Sequence, residues 1–128
     1  MGDEVRIWPA LAALNGFMAV AAGAFGAHAA ADPMAREWLR TGAQYQAVHA
    51  VAALACFALV RPGVRSLNCP GWLFGLGALV FGGSLYLMAL TGVRLLGAVT
   101  PFGGGMLLVG WAMLFWRLAK APASPPAA

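Results

Sequence analysis

The chain has 128 residues, 62% of them hydrophobic and only 9% charged, with a formal net charge of +4. A soluble domain carries roughly 25% charge, and a soluble fold this small keeps too much of its area exposed to hide so much apolar surface. The basic residues stand one or two at a time between apolar runs, with no basic stripe interleaved with aromatics, so nucleic acid is excluded as a partner and topology control in a bilayer is the reading.

In lipid every backbone N–H and C=O must be paired internally, which leaves helices or a closed barrel. A barrel needs strands alternating polar and apolar residues, and the long unbroken runs here do not alternate. The first run, about Ile7 to Ala30, is long enough for a bilayer, which takes roughly 20 apolar residues. Ala27-His28-Ala29 resembles a signal-peptide cleavage site. The head from Met1 to Arg6 nevertheless carries Asp3, Glu4 and a single arginine, so a retained helix is expected. Asp32 and Pro33 then cap and start a short amphipathic helix ending near Arg40. Met34, Trp38 and Leu39 lie on one side of it and Arg36 and Arg40 on another, which suits the membrane interface.

The second run spans about Thr41 to Val60 and is stopped by Arg61-Pro62-Gly63. The third runs from about Gly71 to Leu90, with Gly71, Gly75, Ala78 and Gly82 placing small residues on one face. Thr91 to Val99 is apolar but short and glycine-broken, a loop or a dip into the interface. Thr100, as cap, and Pro101 start a fourth run to about Leu118. Trp111, Trp116, Arg117 and Lys120 mark its exit, and Trp8, Trp38 and Trp72 fit the same aromatic belt. The expected fold is all-α: an integral membrane bundle of four transmembrane helices, with a short interfacial helix between spans one and two. Residues 1–120 form one domain and 121–128 a disordered tail. Arg6, Arg61, Arg65, Arg117 and Lys120 share one side, against Arg36, Arg40 and Arg94 on the other. This bias of five to three predicts cytoplasmic termini.

Candidate chemistry is sought among polar residues inside the spans, where each is costly. No carboxylate lies inside a span, which removes the usual proton-relay residue. Thr41, Tyr45, His49, Ala52 and Cys56 form one stripe on span two, flanked by Gln44 and Gln46. Gly77, Ser84 and Thr91 share a face of span three. His28, Tyr45, Gln46, His49 and Arg94 are taken as a candidate polar intramembrane cluster near the outer side. Interhelical hydrogen bonding is preferred for them over a ligand pocket, and more firmly so for Asn15 and Ser84. Gly23, Gly26, Gly71, Gly75 and Gly82 are the expected helix-packing residues. Cys56 and Cys69 carry neither a zinc signature nor a disulfide framework.

Four stretches carry a family resemblance: Asn15-Gly16 through Gly23-Ala24-Phe25-Gly26-Ala27-His28; Ala43-Gln44-Tyr45-Gln46 through His49-Ala50; Phe81-Gly82-Gly83-Ser84-Leu85-Tyr86 through Leu90-Thr91-Gly92; and Leu96-Gly97-Ala98-Val99-Thr100-Pro101-Phe102-Gly103-Gly104. In this order the chain resembles the small YgdD-like membrane proteins catalogued as domain of unknown function 423, over nearly its whole length except the tail. The resemblance implies a four-span protein of the bacterial inner membrane and places His28 and Gln44-Tyr45-Gln46 through His49 within the family motif. It implies no activity.

The function expected from the sequence is a non-enzymatic accessory or interaction subunit of a membrane assembly, with no catalytic residue, metal or cofactor. Its partners are the lipid bilayer and either another membrane protein or further copies of itself. One alternative is an oligomeric small-molecule transporter or channel built on the span-two stripe. The other is a haem or metal protein using His28 and His49 as facing ligands.

Overall fold

A computed structural model describes residues 4–60 and 65–123, with only the backbone described for 4–6. Arg61-Pro62-Gly63, the side chain of Arg6 and residues 124–128 of the tail lie outside the described residues. The described chain is all-helical: α1 (Glu4–His28), α2 (Pro33–Ala58), α3 (Asn68–Thr91), a short 3₁₀ helix η1 (Arg94–Ala98) and α4 (Thr100–Ala119). Three segments are long and apolar enough to cross a membrane: Ile7–His28, Asn68–Thr91 and Arg94–Ala119. α2 is equally long but less apolar, because it carries Gln44, Gln46 and His49 along its middle.

Asp32 starts α2 as expected. Its carboxylate accepts the Ala35 N–H at 3.0 Å, and Pro33 occupies the first turn, where a missing N–H costs nothing. The helix does not break at Arg40. The expected interfacial helix is the opening two turns of one continuous 26-residue α2, since nothing between Arg40 and Thr41 removes a backbone donor or favours a turn. α3 ends on Gly92, whose φ of 72° is the left-handed conformation that glycine adopts without strain, with its N–H closing on Met88 O. The Thr91–Val99 connection then winds into η1, none of whose residues is buried.

The cap of α4 differs from the expectation. Val99 is the N-cap and Thr100 already lies inside the helix. The Ser84 hydroxyl donates to Phe81 O at 2.9 Å, so across the 2.7 Å contact between the two hydroxyls Thr100 donates and Ser84 accepts. Thr100 thus ties α4 to α3 instead of closing its own helix end.

α3 is the central helix and packs against α1, α2 and α4, while α4 lies chiefly along α3 and η1. The small face of α3 enters the seam between α1 and α2. A Cβ on Gly71 would sit 2.8 Å from the Trp8 ring, one on Gly75 3.1 Å from Leu11, and one on Gly82 3.2 Å from Gln46. Between α1 and α2, Gly26 would meet Leu39 at 3.0 Å and Gly23 would meet Ala43 at 3.6 Å. Trp8 is fully buried in this core, edge-on to Phe57 and beside Cys56, Leu67 and Phe74. It is therefore a core residue and not a belt tryptophan: Gly71 leaves a flat space that only a large ring fills. Its indole N–H has no hydrogen-bond partner among the described residues.

Candidate functional site

The buried polar groups form two separate constellations. The first joins α1, α2 and α3 through Gln46, which is fully buried. Its amide nitrogen donates to Asn15 Oδ1 at 2.7 Å, and its carbonyl accepts from the Tyr86 hydroxyl at 2.6 Å. Asn15 Nδ2 in turn donates to Leu11 O and Gly75 O, both at 3.0 Å. Both Asn15 amide hydrogens, both amide oxygens and the tyrosine hydroxyl are therefore engaged without any charge. The approach is tight enough that a Cβ on Gly42 would lie 2.7 Å from the Tyr86 ring.

The second constellation joins α2 to α4. His49 Nδ1 lies 2.6 Å from Tyr45 O, one helical turn back. A carbonyl only accepts, so Nδ1 carries the proton. The bare Nε2 then accepts the Trp111 indole N–H at 2.9 Å. The ring is thus the neutral Nδ1–H tautomer. It packs among aromatics, parallel to Tyr45 and near Phe74 and Trp111. Beside it a groove of about 570 Å³ opens laterally between α2 and α4, floored by Phe81 and walled by Tyr45, His49, Gly104, Gly105 and Trp111.

The sequence-derived cluster is divided by this geometry. Gln46 lies in the first constellation, His49 in the second, and Tyr45 contributes its carbonyl and a half-exposed ring to the second. His28 is exposed at the end of α1 and Arg94 is exposed on η1, and neither makes a hydrogen bond with the other three. His28 and His49 do not converge, and both nitrogens of His49 are already engaged. Among the described residues no group of three His, Cys, Asp or Glu side chains stands close enough to hold a metal ion. Cys56 is buried and Cys69 exposed, and both are free thiols.

Tyr86, Gly103 and Gly110 were not singled out as contact residues from the sequence, and Trp111, expected at the aromatic exit of span four, instead donates to His49. Tyr86 lies four residues beyond Gly82, which places it on the same helical face and was the available signal. A Cβ on Gly103 would fall 2.5 Å from Phe81 N and 2.9 Å from Gly77 O, and one on Gly110 2.8 Å from the Phe74 ring. Their spacing of seven residues was likewise visible.

The family model described as "Protein of unknown function (DUF423)" matches residues 22–104. A UPF0382 membrane protein of Staphylococcus saprophyticus is 39% identical over 113 residues, covering 86% of this chain and 94% of that protein. The UPF0382 membrane protein YwdK of Bacillus subtilis is 36% identical over 121 residues, covering 91% and 98%. The UPF0382 inner membrane protein YgdD of Escherichia coli is 40% identical over 107 residues, covering 80% and 82%. No solved structure matches the chain.

Proposed function

We propose that this chain, which belongs to the protein family of unknown function DUF423, is a four-span protein of a bacterial cytoplasmic membrane that acts without catalysis, as an accessory subunit bound to another membrane component. The observation that carries the reading is the fate of its polar groups. Asn15, Gln46, Tyr86, Ser84 and His49 spend their hydrogen bonds on the bundle itself. Among the described residues these buried groups leave no chain of free donors and acceptors for a substrate, and such bonds are what hold membrane helices together.

Treating α2 as a fourth span is supported by its two faces. Gln46 and His49 turn inward, while Val48, Val51, Leu54 and Phe57 are exposed and apolar, as lipid contact requires. Cytoplasmic termini are supported by the sequence bias of Arg6, Arg61, Arg65, Arg117 and Lys120 on one side against Arg36, Arg40 and Arg94 on the other. Arg117 and Lys120 both sit at the end of α4. Arg117 donates to Ser66 O, and Lys120 lies 4.1 Å above the Trp116 ring.

Gentle solubilisation from the native membrane followed by native mass spectrometry tests the reading. A complex of fixed stoichiometry with a different protein supports it. Recovery of the chain only as itself overturns it. One observation favours a second reading, transport by an oligomer: the groove beside Tyr45 and His49 would become an enclosed passage if another copy covered it. That reading requires flux in proteoliposomes that His49→Ala abolishes.

A further inference from the structure

On the other flank of the molecule, the small residues at the close α1–α2 contact near the His28–Pro33 turn leave a surface groove of about 380 Å³. Its apolar part is made by Gly23, Gly26, Ala27 and Ala43. Its mouth carries two cations one helical turn apart, Arg36 and Arg40, both exposed. Arg36 is held in place, donating from Nη2 to Ala30 O at 2.8 Å and from Nε to the same oxygen at 3.3 Å. That leaves three of its five N–H groups free and fixed in direction. Arg40 forms no hydrogen bond with any described residue, and the neighbouring carboxylate of Glu37 turns instead toward Thr41 Oγ1 at 3.5 Å. Both arginines lie in the opening two turns of α2, the end of a membrane helix at which arginine side chains reach the lipid headgroups. In that layer planar guanidinium groups match phosphate oxygens.

We propose that this groove is a binding site for one anionic phospholipid, with its phosphate on Arg36 and Arg40 and one acyl chain along Gly23, Gly26 and Ala27. The site needs no protein partner, so its success or failure is separate from that of the accessory-subunit reading. The occupant follows from charge complementarity at the mouth and apolarity within.

Native mass spectrometry of the whole detergent-solubilised chain tests it. Phosphatidylglycerol and phosphatidylcholine with the same acyl chains are added in parallel, with glycerol 3-phosphate as a headgroup without chains. The expected result is one phosphatidylglycerol retained in preference to phosphatidylcholine, with about a tenfold loss of that retention in the R36Q/R40Q double variant. Ala27→Phe, which fills the apolar part from an exposed position, also lowers it. Arg94→Gln, an exposed arginine outside the groove on the same side, leaves it unchanged. Equal retention of the two lipids, or an equal loss in R94Q, overturns the proposal. So does displacement by glycerol 3-phosphate at matched concentration, which would assign the arginines to free phosphate esters, and so does an Ala27→Phe variant that retains the lipid in full.

Discussion

At the level of Gln46 three helices are joined by neutral side chains whose polar atoms are matched almost one for one. About one turn further along α2, His49 reaches the fourth helix through a single bond to Trp111, beside an open groove. The two junctions are built from different chemistry. The α1–α2–α3 junction adds these hydrogen bonds, made in a medium without competing water, to close approaches at Gly42, Gly71 and Gly82. The α3–α4 junction is specified chiefly by the absence of side chains, with Gly103, Gly77 and Gly110 letting the backbones or rings of the partner helix come close. Polar matching fixes register, because a shift of one residue unpairs every member. Glycine packing fixes separation, because the distance of closest approach is set by backbone atoms.

Gln46→Leu breaks the first junction and has the largest expected effect. It leaves Asn15 Oδ1 and the Tyr86 hydroxyl without their partners. Two interhelical bonds lost and two buried groups stranded amount to about 3 kcal/mol. Reversible unfolding in mixed micelles measures this, and a loss under about 1 kcal/mol would mean that packing, not the amide, holds the three helices. Gly103→Ala breaks the second junction. The new methyl would meet the backbone of Phe81 and Gly77, which cannot rotate aside, so α4 must move off α3 at a cost of about 2 kcal/mol. A widened distance between spin labels on α3 and α4 is the accompanying signature. An unchanged distance together with unchanged stability would contradict the close approach.

Much of this comparison could be read in the sequence, though not its centre. The helices follow from apolar runs separated by proline, glycine and charge, and the inward glycines of α1 and α3 follow from their spacing. Gln46 was read as a flank of a stripe centred on Tyr45 and His49. The buried face of α2 runs through Leu39, Gly42, Ala43, Gln46, His49, Ala50, Ala52, Ala53 and Cys56, so it takes in His49, Ala52 and Cys56 of that stripe and also Gln46, and leaves out Thr41 and Tyr45. The polar residues alone centred the face on Tyr45 and His49, while the small residues that let α1 and α3 approach widen it to Gln46. A single helix pattern does not reveal which face its neighbours choose. Nor does it reveal that a tryptophan in α4 finds a histidine in α2, because that pairing depends on how α3 carries α4 across. Trp8 failed for a related reason: its position near a helix end suggested the interface, but the notch opposite it, Gly71, lies 63 residues away.

The remaining changes probe how little the α2–α4 seam adds. Trp111→Phe keeps an aromatic ring beside Phe74, where the centroids now lie 4.9 Å apart, but removes the donor to His49 Nε2. The expected loss is about 0.6 kcal/mol, the average for one interhelical bond in a membrane. A loss as large as that of Gln46→Leu would erase the distinction between the two junctions.

Gly105→Ala is the smallest change and the sharpest control. Gly105 lies two residues beyond Gly103 on α4 and borders the groove, yet a Cβ there would meet nothing within 4 Å. If the seam is as open as the geometry has it, alanine meets no resistance, and its better helix propensity leaves the isolated chain unchanged or more stable by up to about 1 kcal/mol. The contrast with Gly103→Ala then isolates contact with α3 from the general cost of replacing glycine, because both positions lie in the opening turns of one helix. Destabilisation of the isolated chain by Gly105→Ala would mean that α2 and α4 close on one another. In that case the groove, and with it the weak seam, would not exist in the membrane.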